Sequence, residues 1–294
     1  MAAADLQTAT VSRSAGPKPR DEELDLFGLT HPGKIRAQNQ DHFLLCTVHP
    51  QVVIHGTSLP EPDALPLRGQ RLAAIMLVAD GVGGAAAGAE ASQLAVEAIT
   101  RYVATTLRCY HAAGTSGEEE FLSALRAAAL EAHAAVKEAG RGDGKKRATT
   151  LTLGIFVWPW LYVVQVGDSR CYYYWDGELR QITRDQTMAQ DLVARGALPP
   201  ERAASSPFSH VLISAIGGAE ATPEVSRTDI RQRGCVLLFC TDGLTKHVTD
   251  AEIAQQLGAL ESSEQVCRAL CALALERGGS DNVTVVVGRA PPPL

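Results

Sequence analysis

The sequence predicts an α+β fold in which antiparallel β-sheets are covered by helices. Short runs of β-branched and aliphatic residues bounded by turn residues indicate strands, and alanine-rich stretches with helical spacing indicate helices. The strands tend to follow one another along the chain, whereas two long helices stand together between Gly84 and Gly140. That grouping favours antiparallel sheets, because a parallel sheet needs a crossover, usually a helix, between its strands.

Six segments have the apolar pattern of strands, and hairpin signals accompany them. Pro159 separates two of these segments in a predicted hairpin, and the Asp-Gly signal at Asp176 indicates a second hairpin. The predicted strands are Arg71–Ala79, Thr149–Trp158, Leu161–Val166, Cys171–Trp175, Cys235–Cys240 and Val283–Gly288. The predicted helices are Gly88–Leu107, Glu118–Gly140, Thr187–Arg195 and Asp250–Glu276.

A single domain is expected over residues 24–289. The first 23 residues are rich in Ala, Ser, Thr and Pro and show no sustained periodicity, so a disordered leader is predicted over 1–23. Residues 290–294 are interpreted as a proline-rich tail. No second linker interrupts the interior, and one domain is therefore the economical interpretation.

Composition and charge exclude several classes of protein. Of the 294 residues, 46% are apolar and 20% are charged, which is typical of a soluble globular protein. The formal charge of -6 argues against a nucleic-acid binder, which usually shows a basic face. No apolar run is long enough to cross a bilayer, and the N-terminus lacks the apolar region of a secretion signal. We therefore expect neither nucleic acid nor membrane as a partner.

The seven cysteines indicate a reducing compartment. Their number is odd and no C-x-x-C pair occurs, so neither a disulfide framework nor a zinc knuckle is suggested. They also lack the loop with which a phosphotyrosine phosphatase holds phosphate around a thiolate. The histidines form no H-x-x-x-H pair, and zinc is not expected from them. We predict buried reduced thiols and a cytoplasmic protein.

Four aspartates share one setting, because each lies where an apolar run begins or ends: Asp80, Asp168, Asp242 and Asp281. Taken singly, an aspartate beside glycine at the end of a strand is typical of a turn. Their repetition favours convergence at one sheet edge, where the carboxylates would repel one another unless a hard cation such as Mg²⁺ or Mn²⁺ neutralised them. Two such ions could hold a bridging hydroxide for in-line attack on phosphorus.

The glycines after Asp80 suit an ion site better than a nucleotide loop. Gly81 permits close approach of its backbone to an ion, and Gly83 and Gly84 allow the chain to turn into the next helix. The dinucleotide fingerprint requires G-x-G-x-x-G, whereas this segment reads GVGGAAAG, and no P-loop lysine is present. A nucleotide-binding module is therefore disfavoured.

The chain also contains five short motifs in a fixed order. They are RAQNQD (Arg36–Asp41), ADGVGG (Ala79–Gly84), VGDSR (Val166–Arg170), TDGL (Thr241–Leu244) and SDNVTVVV (Ser280–Val287). Together they resemble the motifs of the PPM family, the type-2C protein phosphatases, and most closely its compact bacterial-type members. The resemblance runs from about Leu24 to Arg289. It implies a four-layer α-β-β-α sandwich of two antiparallel sheets flanked by helices, with metal ions at one edge.

The resemblance implies a role for each matched residue around the ions. Asp80 would bridge two metal ions, and the Gly81 carbonyl would bind the second ion. Asp242 and Asp281 would complete the ligands of the first ion. Asp41 would act through metal-bound water.

Three further residues take roles from the resemblance. Arg36 matches the arginine that binds the substrate phosphate, for which a guanidinium offers bidentate hydrogen bonds. Asp168, together with Asp242, matches the third metal position of bacterial-type members. Asn39 is interpreted as a positioning residue. Arg170 is interpreted as structural, pairing with a carboxylate near the strand end.

Two residues depart from the family pattern. Gln40 stands where many relatives carry Glu, and the lost charge would weaken the second metal site. Val82 stands where many eukaryotic relatives carry a histidine proposed as general acid, so a metal-bound water is the candidate for that role. The segment Gln186–Ser209 resembles the family's flap, which influences substrate access.

By this resemblance the chain is expected to be a metal-dependent protein serine/threonine phosphatase. It would use two or three ions of Mg²⁺ or Mn²⁺ and hydrolyse phosphoserine and phosphothreonine by direct attack of metal-bound hydroxide. The expected partners are phosphorylated proteins and a cognate serine/threonine kinase, and a monomer is expected. The alternative is a catalytically weak pseudophosphatase that binds phosphoproteins, for which Gln40 leaves an opening.

Overall fold

The strands and helices come from a computed structural model that describes residues 16–55, 57–58, 60–61, 66–83, 85–112 and 117–291. The strands are β1 (Asp25–His31), β2 (Asp41–Val48), β3 (Ala73–Val82), β4 (Ala148–Thr149), β5 (Leu151–Val157), β6 (Trp160–Val166), β7 (Arg170–Trp175), β8 (Glu178–Gln181), β9 (Glu224–Asp229), β10 (Val236–Cys240) and β11 (Val283–Arg289). The α-helices are α1 (Ala85–Ala112), α2 (Glu118–Asp143), α3 (Met188–Ala194), α4 (Asp242–Thr245), α5 (Asp250–Ala259) and α6 (Ser263–Glu276).

The strands form two antiparallel sheets that pack face to face. The first sheet has the order β1-β11-β10-β7-β8, and the second has the order β2-β3-β5-β6-β9 with β4 paired to β3. Fully or nearly fully buried side chains such as Met76, Leu161 and Phe239 fill the space between the sheets. Removing this apolar surface from water is the main driving force that holds the two sheets together.

Helices cover both outer faces of this sandwich. Helices α1 and α2 pack on the second sheet through small residues such as Ala91 and Ala132, which let the helices approach closely. Helices α5 and α6 cover the first sheet through Ile253 and Leu270. The α+β class and the four-layer α-β-β-α sandwich are confirmed. No helix in the described part of the chain is long and apolar enough to cross a membrane.

The prediction of one helix over Asp250–Glu276 is wrong, because α5 and α6 are separate helices. Leu260 adopts an extended conformation, with φ -103° and ψ 138°. The hydroxyl of Ser262 then accepts a hydrogen bond from the backbone N–H of Gln265, and the Gln265 side chain accepts one from the N–H of Ser262. This capping box starts a new helix. The apolar spacing continues across the break because both helices face the same sheet.

Each of the six predicted strands corresponds to an observed strand, but β1, β2 and β9 carry weaker patterns that the sequence analysis does not pick out. Every residue of β1 is only partly buried, and β9 has four exposed and two partly buried residues. Polar residues therefore occupy many positions of these strands. Their pairing with β11, β3 and β6 compensates for the weak local pattern.

Residues 16–23, which the sequence analysis assigns to the leader, contact the ends of the sheets. The Trp158 indole donates a hydrogen bond to the carbonyl of Gly16 at 3.0 Å. The guanidinium of Arg71 donates to the carbonyl of Pro19 at 2.6 Å and pairs with the carboxylate of Asp21. Residues 1–15, and 292–294 of the tail, lie outside the described residues.

Candidate metal centre

Five aspartates meet at one end of the two sheets. Asp41 begins β2 and lies opposite Asp80 of β3 in the antiparallel register. Asp242 follows β10, Asp281 stands shortly before its neighbour β11, and Asp168 lies between β6 and β7. Because neighbouring strands run in opposite directions, these strand ends lie on the same side of the sandwich. Four of the five carboxylates, those of Asp80, Asp168, Asp242 and Asp281, line an open pocket of about 550 Å³.

The backbone of Asp80 is fixed by two neighbouring threonines. Its N–H donates to the hydroxyl of Thr150 at 2.9 Å, and its carbonyl accepts a hydrogen bond from the hydroxyl of Thr149 at 2.8 Å. Burial raises the pKa of Asp80 well above its ordinary value, and the nearby carboxylates of Asp41 and Asp242 raise it further. A negative charge at Asp80 is therefore costly unless a cation lies beside it.

Asp41 is the most enclosed carboxylate of the cluster, with 3% of its surface exposed. Its Oδ2 accepts hydrogen bonds from the hydroxyls of Thr241 at 2.8 Å and Thr284 at 2.7 Å. Its Oδ1 is buried and has no hydrogen-bond partner among the described residues. Burial raises the pKa of Asp41 to about 7, although the two threonine hydroxyls oppose that rise. One oxygen is thus held in place, and the other is left for a ligand.

Among the described residues, lysine and arginine side chains contact the cluster on the side of Asp242 and Asp281. Arg36 Nε lies 2.8 Å from Asp281 Oδ1, and Arg36 Nη2 lies 3.0 Å from Asp281 Oδ2. Lys246 Nζ lies 2.7 Å from Asp242 Oδ2 and 2.8 Å from Asp281 Oδ2. Burial alone would raise the pKa of Asp281, but hydrogen bonds from Lys246 and Arg36 outweigh it and lower that pKa. Asp281 is therefore ionised beside two cations.

Gly81 lies where only glycine fits. A Cβ atom at this position would lie 2.3 Å from the Gly88 carbonyl oxygen and 2.7 Å from that of Gln40. A Cβ atom at Gly88 would meet Gln40 Oε1 at 2.0 Å. The Gln40 side-chain oxygen is buried and has no hydrogen-bond partner within the described ranges. The amide predicted to weaken the second metal site is thus packed against the glycines beside Asp80.

A histidine joins the third-metal position. Ligand atoms of Asp168, His210 and Asp242 all lie within 4.8 Å of one another, which is close enough to hold one ion. His210 Nδ1 lies 4.0 Å from Asp242 Oδ2. Burial raises the pKa of Asp168 to about 8, and the negative charge of Asp242 adds to that rise. His210 lies just beyond the predicted flap segment, so this segment ends at the metal centre.

The loop that carries Arg36 is held by two asparagines. The Asn282 side chain donates hydrogen bonds to the carbonyls of Pro32 at 2.8 Å and Gln38 at 3.0 Å. The Asn39 side-chain oxygen accepts a hydrogen bond from the N–H of Asp41 at 3.1 Å. Asn39 therefore has the contacts expected of a positioning residue. Asn282 also positions this loop, a role that the sequence analysis did not assign. Its place next to Asp281 in the SDNVTVVV motif could have indicated that role.

Arg170 contacts a carboxylate outside the metal centre. Its Nη2 lies 2.8 Å from Asp185 Oδ2, and its Nε lies 3.0 Å from Asp185 Oδ1. Its Nη1 donates to the hydroxyl of Tyr172 at 2.9 Å, and that hydroxyl donates to Asp250. These contacts agree with the structural role predicted for Arg170.

The residues present fit a hard divalent cation. The donor set consists of carboxylate oxygens and the Gly81 carbonyl, which is the set that Mg²⁺ and Mn²⁺ prefer. Buried oxygens of Asp41 and Asp242 lack hydrogen-bond partners in the described part of the chain, and such orphaned groups are rare in the absence of a ligand. The mutual repulsion at Asp80 would also be relieved by a cation.

The structure brings together every residue that the sequence analysis proposed for the site: Arg36, Asp41, Asp80, Gly81, Asp168, Asp242 and Asp281. Their roles as ligands and as phosphate binder stay predictions. Lys246 and His210 were missed. Lys246 follows the TDGL motif at helical spacing from Asp242, which was an available signal, whereas no local pattern relates His210 to Asp168.

Comparison with known proteins identifies relatives of this chain. The family model described as protein phosphatase 2C matches residues 55–277. The serine/threonine protein phosphatase PstP of Mycobacterium tuberculosis is 38% identical over 217 residues, which are 73% of this chain and 40% of PstP. The chain thus spans about two fifths of the length of that relative. The serine/threonine phosphatase stp of Listeria welshimeri is 31% identical over 72% of this chain and 83% of its own length.

Solved structures agree with these relatives. The crystal structure of the M. tuberculosis phosphatase PstP/Ppp superposes with a TM-score of 0.72 at 30% identity, covering 92% of this chain and 99% of that one. The catalytic domain of PstP in complex with two manganese ions gives a TM-score of 0.69 at 30% identity, with the same coverage of 92% and 99%.

Proposed function

Because this chain belongs to the protein phosphatase 2C family, we propose that it is a metal-dependent protein serine/threonine phosphatase. Its substrates are phosphoserine and phosphothreonine residues of proteins. The observation that carries this proposal is the cluster of five aspartates, with orphaned buried oxygens at Asp41 and Asp242, around an open pocket that also contains Arg36. The named activities of the relatives and the two manganese ions bound by PstP support it.

Asp80, Asp242 and Asp281, with the Gly81 carbonyl, would hold Mg²⁺ or Mn²⁺ at two positions. Asp168, Asp242 and His210 would hold a third ion. Such ions supply Lewis-acid activation of the phosphate and of the attacking water. Asp41 would accept a hydrogen bond from a water molecule of the centre through Oδ1, because Thr241 and Thr284 hold its other oxygen.

Arg36 binds the phosphate group of the substrate. Its guanidinium makes a two-point contact with Asp281, a residue that lines the pocket, which supports this role. A phosphate offers the same paired oxygens and a larger negative charge, so it competes well for this arginine. Asn282 and Asn39 hold the loop that presents Arg36.

The alternative of a phosphoprotein-binding pseudophosphatase gains no support from these residues. All five aspartates lie at the centre, and Gln40 contributes an orphaned oxygen beside them. We infer further that a serine/threonine kinase of the same cell supplies the substrates and that the enzyme works as a cytoplasmic monomer. Six of the seven cysteines carry free thiols, which supports a reducing compartment: Cys46, Cys171, Cys235, Cys240, Cys267 and Cys271.

The proposal is tested by phosphate release from a phosphothreonine peptide and from p-nitrophenyl phosphate, with Mn²⁺ titrated from zero into the millimolar range. We expect turnover that requires Mn²⁺ and that is abolished in Asp80→Ala. Glu131→Ala, at an exposed position of α2, serves as the matched control and should behave as wild type. Absence of turnover at every Mn²⁺ concentration would contradict the proposal.

A further inference from the structure

We propose that Lys246 is a built-in counter-ion that competes with divalent metal for Asp242 and Asp281 and so lowers the metal affinity of this side of the centre. The proposal rests on the proposed function, because it takes these two aspartates as ligands of the first ion. It adds a residue that determines how much metal the enzyme needs.

The contacts of Lys246 lie at the expected ligand oxygens themselves. Its Nζ is 2.7 Å from Asp242 Oδ2 and 2.8 Å from Asp281 Oδ2, so one ammonium bridges two carboxylates. These distances are those of short charge-assisted hydrogen bonds. Arg36 binds both oxygens of Asp281 from another direction. The carboxylate of Asp281 is therefore saturated by the chain itself.

The backbone holds Lys246 in this position. Asp242 begins the short helix α4, and the N–H of Lys246 donates to the Asp242 carbonyl at 2.8 Å. Residues four apart on a helical turn present their side chains on the same face, so the ammonium and the Asp242 carboxylate meet without rearrangement. The Lys246 side chain is 22% exposed, which shields the bridge from most of the solvent.

The other carboxylates of the centre lack such a partner. Across the described residues, no lysine, arginine or histidine nitrogen lies within ion-pair distance of the side chains of Asp41, Asp80 or Asp168, apart from His210 in the candidate third site. The internal cations are thus concentrated on the Asp242–Asp281 side. A structural ion pair would need only one carboxylate, whereas Lys246 spans two groups that the metal also needs.

This arrangement has a consequence for metal binding. Asp281 Oδ2 and Asp242 Oδ2 cannot each contact Lys246 and a divalent ion with full strength, because the two cations repel each other at such distances. Metal binding must therefore weaken the contacts of Lys246 with the two carboxylates. The free energy lost in those contacts reduces the measured affinity for the metal. Arg36 differs, since a substrate phosphate offers it a new partner when Asp281 is taken by the ion.

The test compares Mn²⁺ binding to the metal-free chain of 294 residues and to its Lys246→Met variant, measured by isothermal titration calorimetry without substrate. Met keeps the length and the apolar stem of lysine but removes the charge. We expect the dissociation constant of at least one site to fall by about tenfold or more, as the loss of a charge-assisted contact implies. Lys246→Arg keeps a cation and should retain the weak binding. Lys246→Gln repeats the measurement if the Met variant does not fold.

A second readout is the thermal midpoint in EDTA and in Mn²⁺. Lys246→Met should melt lower than wild type in EDTA, because Asp242 and Asp281 lose their counter-ion, and should gain more from Mn²⁺ than wild type does. Unchanged or weaker Mn²⁺ binding in both neutral variants would overturn the proposal. The same holds if the variants lose affinity for inorganic phosphate while Mn²⁺ binding stays the same, since Lys246 would then be a phosphate ligand.

The results of this test can be distinguished from success or failure of the proposed phosphatase function. If wild type binds Mn²⁺ but releases no phosphate, the phosphatase proposal fails, whereas tighter binding by Lys246→Met still supports the role of Lys246. If wild type is an active phosphatase and the neutral variants bind Mn²⁺ no more tightly, only the role of Lys246 is overturned.

Discussion

The two ends of the same strands carry opposite charges, and among the described residues the arginines at one end have acidic partners that several aspartates at the other end lack a cation to match. Strand β3 begins after Arg71 and reaches Asp80 near its other end, while β11 begins after Asp281 and ends at Arg289. At the arginine end, Arg71 pairs with Asp21 of the leader segment. At the aspartate end, Asp80 has no cationic partner among the described residues.

This contrast separates the charges that are paired within the fold from those that a bound cation would neutralise. At the arginine end, Arg233 also pairs with Glu23 at 2.9 Å, so residues 16–23 bring acidic groups to buried arginines. At the aspartate end, Lys246 and Arg36 contact Asp242 and Asp281. Buried oxygens of Asp41 and Asp242 have no hydrogen-bond partner among the described residues. Since unpaired buried charge is costly, this imbalance indicates a cation from solution.

The largest expected effect comes from breaking the aspartate end with Asp80→Ala. Activity should fall by at least about a thousandfold, because the Lewis-acid contribution of the ions is worth several kcal/mol. The same variant should be no less stable than wild type in EDTA, since it removes a repelling buried carboxylate. Mn²⁺-dependent phosphate release and thermal melts in EDTA measure the two effects. A strongly destabilised variant would show that Asp80 is structural, like the acids at the other end.

Arg36→Ala removes one of the two cationic side chains that contact Asp281 at the aspartate end. The kcat/KM for a phosphothreonine peptide should fall by about a hundredfold, mainly through KM, because a bidentate charge-assisted contact to phosphate is lost. Arg36→Lys should recover only part of this loss, since an ammonium lacks the planar fork. Steady-state kinetics with both variants measure kcat and KM separately. An unchanged KM would mean that Arg36 serves only as the partner of Asp281.

Arg71→Met breaks the arginine end instead. The free energy of unfolding in EDTA should fall by about 2 kcal/mol, because the buried Pro19 carbonyl loses its donor and Asp21, which is about half exposed, loses its counter-ion. Turnover per folded molecule should stay unchanged. Urea denaturation measures the loss, and Arg141→Met, on an exposed arginine of α2, provides the control. A loss of activity without a loss of stability would contradict the division between the two ends.

The pH dependence of stability should also distinguish the ends. Burial raises the pKa of Asp41 to about 7 and that of Asp168 to about 8. Both groups hold their protons more tightly in the folded state, so their contribution is fully present below about pH 4 and is lost as the pH rises through these values. In EDTA the thermal midpoint should fall by roughly 10 °C between about pH 5 and pH 8. Saturating Mn²⁺ should remove most of that fall, and a flat profile in EDTA would count against uncompensated carboxylates.

The smallest effect is expected from Gln40→Glu, which adds a carboxylate to the aspartate end. The Gln40 oxygen is buried without a partner beside Gly88, where a charged oxygen could support the second ion. Mn²⁺ affinity should rise by about threefold to tenfold, and stability in EDTA should fall because the repulsion grows. Calorimetry and melts in EDTA measure both. Weaker Mn²⁺ binding would show that the amide is the better fit for this site.

Much of the fold and of the site was predictable from local pattern. The burial of strands such as β5, β6 and β10 shows as unbroken apolar runs, and four of the five aspartates of the cluster stand beside such a run. Asp41 and Arg36 were proposed only from the resemblance to the family. The break at Leu260 and the half-exposed β1 and β9 were not predictable in this way. A capping box can start a helix within a continuous apolar spacing, and an edge strand needs fewer apolar residues because its partner supplies the pairing.

The local alternation of apolar runs and turns is enough to place acidic groups at the ends of buried strands. Which of these groups meet across long separations in the chain depends on the packing of the two sheets. Arg36 reaches Asp281, Asp41 accepts from Thr241 and Thr284, and His210 approaches Asp168 because strand register and sheet packing place them together. These contacts also explain why Lys246 neutralises Asp242 and Asp281, whereas Asp80 has no cationic partner among the described residues. Their physical basis is the distance between charges, which no local sequence pattern specifies.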